Sequence, residues 1–222
     1  MAKLRVLLEI GKKGRRVVAG AADWPGLDRW GADEDAALAK IADYVPRYAG
    51  VAESAGMGDA FARQTKLEVV ERYEGSSSTD FWGIAHVPSE TEQEPMTAKE
   101  LERRLELLRA CWAYFDDVAA RVSDELARGP RGGGRDREGI VHHVYGSERM
   151  NFSPKVEVRT GPGILTTRDG LRAHREAFLD AIRTYHAEER QARTWPIAFL
   201  IRRTAHHLLD HAWELEDRDL GR

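Results

Sequence analysis

His207 and His211 are the residues of this chain best suited to chemistry. They fall in His206-His207-Leu208-Leu209-Asp210-His211, near the end of a 222-residue sequence. On a helix, positions four apart stack on one face, one turn from each other. Two neutral imidazoles placed in this way can grip one metal ion. A third, drawn from His142-His143 upstream, completes a three-ligand set with an open position. That is the arrangement of a catalytic rather than a structural metal site. His142 and His143 are adjacent, so at most one of them can point at the pair.

Around the pair, Arg203, His207, His211, Glu214 and Arg218 form one column of the predicted last helix. The rest of that helix is apolar, with Ile197, Phe199, Leu200, Ile201, Leu208 and Leu209. The column is either a solvated outer face with i,i+4 ion pairs or the lining of a site. In a site, Arg203 or Arg218 would hold a carboxylate of a small-molecule substrate, and Glu148 or Glu214 would shuttle protons. Glu148 reads equally well as a surface carboxylate. His206 and Asp210 make a second i,i+4 pair, turned roughly 100° from the first. It reads as a surface pair or as outer support for a ligand histidine. His86, His174 and His186 sit among charged residues and are expected at the surface.

The elements that must position these residues change character along the chain. Residues 1–86 read as a small α+β domain with an antiparallel sheet. Leu4 to Ile10 is a strand, Gly11 to Gly14 a turn, and Arg15 to Gly20 a returning strand. Trp24-Pro25-Gly26-Leu27 is a turn. A helix capped by Asp33 or Asp35 runs to about Val51, with Pro46 inside it. A last strand is expected at Lys66 to Tyr73, and Gly75 to Ser78 is a loop. Residues 87–96 read as a polar linker. From 97 to 222 the pattern is all-α. Thr97 and Glu100 make a capping box that opens a helix to about Ala127. Gly129 to Gly134 reads as a flexible loop. A second helix starts near Glu138, a third at Thr166 or Thr167, and a fourth at Trp195-Pro196, running through Asp217. Four such helices joined by loops predict an up-down bundle, whose metal sites form from inward-facing side chains of different helices.

Composition sets the remaining bounds. Hydrophobic residues make up 42% and charged residues 32%, as expected of a globular chain with a sizeable core. The net charge of -3 gives no electrostatic case for nucleic acid. Cys111 is the one cysteine, which excludes an intrachain disulfide and fits a reducing cytoplasm. It lies in an apolar helical stretch and is expected in the core. No signal peptide is visible at the N-terminus, and no run approaches the ~18 apolar residues of a membrane span.

The segment from Thr97 to Arg218 resembles the DinB/YfiT-like superfamily of bacterial four-helix bundles. The resemblance rests on Ile140-Val141-His142-His143-Val144-Tyr145-Gly146-Ser147-Glu148 and on His207-Leu208-Leu209-Asp210-His211-Ala212-Trp213-Glu214. Members carry a histidine on the second helix, typically with Glu five residues later, and a His-x-x-x-His on the last. The resemblance implies His143, His207 and His211 as metal ligands. It further implies a divalent ion, most simply Zn, with Ni, Fe, Co, Cu or Mn set by geometry and supply. Characterised members include S-transferases that use mycothiol or bacillithiol, and a mycothiol-dependent isomerase. A homodimer is the family habit. Gly20-Ala21-Ala22-Asp23-Trp24-Pro25-Gly26-Leu27, Gly31 and Asp33 to Leu38 are more faintly similar to HicB antitoxins, which implies a small sheet with a helix or two and says nothing of activity. A fold does not fix a function. The rival expectation is a non-catalytic binding module with the bundle as scaffold.

Overall fold

The computed structural model describes residues 2–129 and 134–221, with Thr65 and Ile164 described by backbone alone. The core of the loop expected at Gly129 to Gly134, residues 130–133, lies outside the described residues.

The N-terminal part is a four-stranded sheet in the order β3-β2-β1-β4. Strand β1 (Ala2–Ile10) and β2 (Val17–Ala21) form the expected hairpin, in antiparallel register from Val6 opposite Ala21 to Ile10 opposite Val17. Strand β3 (Asp28–Gly31) pairs antiparallel with β2 and was not expected. Helix α1 (Glu34–Ser54) follows, with the Asp33 side chain capping Ala36 N, and continues through Pro46. A short helix, α2 (Gly58–Ala62), leads into β4 (Gln64–Glu74). The sheet is not wholly antiparallel, because β4 lies parallel to β1. The reason is the crossover: α1 and α2 carry the chain back to its starting end, as a parallel pairing requires. Central β1 is buried on both faces. Leu4, Val6 and Leu8 face the main core, while Val18 of β2 packs with Ala85 and Phe199 on the other side.

Two further expectations need correcting. Gly75 to Ser78 is not simply a loop, because α3 (Ser77–Trp82) begins there. Ser76 caps it in a reciprocal box with Thr79, and Gly83 ends it in the left-handed region. The 87–96 stretch contains the short helix α4 (Glu90–Gln93), and Ser89 and Glu92 in it are buried.

The remaining chain is mostly helical. Helix α5 (Ala98–Arg121) is capped by Thr97 and ends earlier than expected. Helix α6 (Arg137–Ser147) is capped by Asp136 and widens into a π-helical turn at Glu148–Phe152, then a 3-10 turn. Helix α7 (Arg168–Ala187) is capped by Thr167. Helix α8 (Ile197–Arg218) follows Pro196. Leu105, Leu108, Phe115, Phe178, Ile182, Leu208 and Trp213 join one core that also holds Trp24, Ile41 and Tyr48 of the N-terminal part. Among the described residues no helix is long and apolar enough to cross a membrane.

Helix α8 is tied to the sheet by buried charge. Arg202 donates from Nε to Asp28 Oδ1 (2.9 Å) and from Nη1 to Glu92 Oε2 (3.2 Å). All three groups are almost fully buried. Arg29 of β3 donates to Asp210 (2.7 Å) while its guanidinium lies over the rings of both Tyr44 and Trp213.

Candidate metal centre

The four-residue spacing on α8 does put His207 and His211 side by side, with ring centroids 4.8 Å apart. Helix α6 brings His143 against both, at 5.0 Å from His207 and 4.9 Å from His211. One ring nitrogen from each lies within 4.8 Å of the other two. The His143 and His207 Nε2 atoms are 3.1 Å apart. A tetrahedral ion with metal–nitrogen bonds of 2.0–2.1 Å needs ligand nitrogens ~3.3 Å from each other. The His143–His207 pair is within about 0.2 Å of that spacing, and the third donor lies within 4.8 Å of both, so small ring movements bring the set around one small divalent ion. All three histidines are partly exposed, so the cluster opens toward solvent rather than closing inside the core. The Phe152 ring stands against His207, 5.6 Å between centroids.

Electrostatics favour the ligand form of the rings. Burial, reinforced by the neighbouring His211, holds the His143 imidazole below its usual range. Burial and the two other rings push His207 well below it. Both are thus neutral near pH 7 and carry a lone pair for a metal.

Behind the cluster stands an outer layer. His211 Nδ1 is 2.8 Å from Glu214 Oε2. A carboxylate can only accept, so Nδ1 carries the proton, and Nε2 is the nitrogen that would face a metal. Glu214 Oε1 accepts from Arg218 Nη1 (2.7 Å), and Arg218 donates onward to the carbonyls of Ala127 and Arg135. The His211 hydrogen bond is the main reason the Glu214 carboxyl sits below its usual range. His207 has no such support: its Nδ1 is buried without a hydrogen-bond partner among the described residues.

The other expected site residues lie elsewhere. Glu148 is buried, and both its oxygens accept from Arg175, at 2.9 and 3.0 Å. Arg175 also binds Asp116. Arg203 is buried and points Nη1 at His206 Nδ1 (3.0 Å). His206 and Asp210 do not pair: His206 is buried, and Asp210 belongs to Arg29. Nor are the three outlying histidines simply surface groups. His174 is buried with Nδ1 3.0 Å from Thr160 Oγ1, His86 is half-buried, and His186 contacts the Met96 carbonyl. Cys111 is a buried free thiol, as expected.

Arg135, overlooked in the sequence, is the exposed cation whose field reaches both His143 and His207. Its one sequence signal was a place just ahead of the Asp136 cap of α6. Comparison of the chain with protein-family models, curated proteins and solved structures finds no match.

Proposed function

We propose that this protein is a metal-dependent enzyme of the DinB/YfiT-like kind, with α5 to α8 as its up-down bundle. His143, His207 and His211 are the ligands of one divalent ion, most simply Zn. The observation that supports this is the meeting of three imidazoles from two helices at a partly exposed point, with Glu214 behind one of them. A bound ion of this type supplies Lewis acidity and lowers the pKa of a coordinated thiol or water.

The chain's own residues supply position. Glu214 fixes the His211 tautomer, and Arg218 holds Glu214. Arg135 and Arg218 place positive charge beside the cluster, which suits an anionic small-molecule substrate. The reaction class we favour is S-transfer from a low-molecular-weight thiol of the mycothiol or bacillithiol type. It suits a reducing cytoplasm and a chain whose one thiol is buried.

A second reading, a non-catalytic module on the same scaffold, is favoured by the sequestration of Glu148 and Arg203 in buried contacts. One experiment addresses both readings. Protein purified without nickel affinity is assayed for metal and then screened for thiol consumption. The enzyme reading expects about one ion per chain, its loss in His207→Ala, and turnover of a thiol with an electrophile. Undiminished metal in His207→Ala overturns the ligand set. Bound metal without turnover favours the module.

A further inference from the structure

Far along the sequence from the histidines, one corner of the sheet carries an unusual surface. Trp30, Phe81 and Trp82 are 46%, 66% and 61% exposed, and they are the exposed large aromatic side chains among the described residues. They meet in one place. The Phe81 and Trp82 rings stand edge to face, 4.5 Å between centroids. Trp30 presses on the C-cap of α3 so closely that a Cβ on Gly83 would lie 2.6 Å from its ring. Apolar surface left in water has a cost that folding alone does not explain, and aromatic clusters of this kind mark binding surfaces.

The β1–β2 turn, Lys12-Lys13-Gly14-Arg15-Arg16, faces these rings. Asp80 ties it down: its Oδ2 accepts from Lys13 N (2.7 Å) and its Oδ1 from Arg15 N (2.8 Å). The acidic charge is thus engaged with backbone. Arg16 lies over Trp30, 4.4 Å from the ring centroid, and donates to the Phe81 carbonyl. Lys12, Lys13 and Arg15 are exposed, with no carboxylate partner among the described ion pairs. Between turn and helix runs a groove of ≈ 890 Å³, with Lys13, Arg15 and Arg16 from the turn and Ser77, Asp80, Phe81 and Trp82 from the helix lining it.

We propose that this groove binds single-stranded nucleic acid, with phosphates along Lys13 and Arg15 and on Lys12, beside the groove on the same turn, and bases stacked on Phe81 and Trp82. A cationic groove lined with aromatic faces is the general solution for gripping a single strand without reading its sequence. The concave shape favours a chain-like ligand over a bilayer, which needs aromatics projecting from a convex tip. Flat exposed rings favour bases over an acidic peptide, which would use the cations alone. The chain-wide charge of -3 gave no reason to expect this; the local charge does. The inference stands apart from the metal reading.

The test is fluorescence anisotropy of labelled 12-nucleotide oligo-U and oligo-dT with the full chain, titrated across salt. Three phosphate contacts predict a log–log salt slope of about -2, from ~0.7 per contact on a single strand. Phe81→Ala and Trp82→Ala should each weaken binding roughly tenfold, the loss of one stacked base. Lys12→Glu with Lys13→Glu, at exposed side chains with no hydrogen bond or ion pair among the described residues, should abolish it, while His207→Ala should bind as the parent does. Three results overturn the proposal: no binding at 100 μM protein in low salt; aromatic variants that bind undiminished; or capture by phosphatidylserine vesicles or polyglutamate in place of the oligonucleotides.

Discussion

His211 and Glu214, one turn apart on α8, are joined Nδ1 to Oε2 at 2.8 Å. Nothing else in the cluster orients a ring so directly. A charged acceptor behind a ligand imidazole raises its basicity and holds its tautomer. Replacing Glu214 with Gln keeps the size and removes the charge. Metal affinity in Glu214→Gln should fall about 10- to 100-fold, as read by competition with a chromophoric chelator. An unchanged affinity would show that His211 needs no support.

The Arg202 pairs with Asp28 and Glu92 are buried on all sides. Removing one partner strands the others in a dry interior, which costs about 3–5 kcal/mol. Arg202→Met should show that loss in urea denaturation. Adding Asp28→Asn and Glu92→Gln should recover part of it. A shift in the single variant below about 1 kcal/mol would mean water reaches the site.

His174 makes stability depend on acid. Burial pushes its pKa from 6.5 down to about 4. Between those values the unfolded chain binds a proton that the folded chain refuses, so stability falls as pH drops from 6.5 to 4. Below about 4 this residue adds no further loss. His206 and His207, also held neutral by burial, act in the same direction. His174→Gln should flatten the stability–pH curve across that window by up to about 1.4 kcal/mol per pH unit. An identical slope in parent and variant counts against the assignment.

Gly26 sits where the sheet's turn meets α8. Its φ is +97°, and a Cβ would lie 2.8 Å from Leu209 Cδ1 and 3.1 Å from Ala205. Gly26→Ala combines backbone strain with overpacking, each about 1–3 kcal/mol. Thermal unfolding should show a clear drop in midpoint. Wild-type stability would mean the turn relaxes freely.

The histidine cluster was legible because its signal is local. A spacing of four fixes His207 and His211 on any helix, and His143 needed only a second helix facing the first. Strand β3 was hidden because two of its four residues, Asp28 and Arg29, are charged. Their partners, Arg202 and Asp210, lie 174 and 181 positions away. The same long-range pairing took Asp210 from His206. Glu148, read as either a site group or a surface carboxylate, has its partner on another helix. Arg175 of α7, 27 positions on, takes both its oxygens, and the helix widens into a π turn only from Glu148 onward. The helix at Ser77–Trp82 did leave a trace, a Ser76-to-Thr79 box, masked by the loop-like run of serines.

The tether between Arg202 and Asp28 also limits how this molecule can be cut. A truncation that kept only residues 97–222 would leave the histidine-bearing helix with a bare guanidinium where two acids had been. Its apolar flank, from Phe199 to Leu209, would be open to water. Such a fragment would aggregate or rotate the helix before any ion could choose its ligands. The sheet is in this sense the jig in which the three rings are aligned.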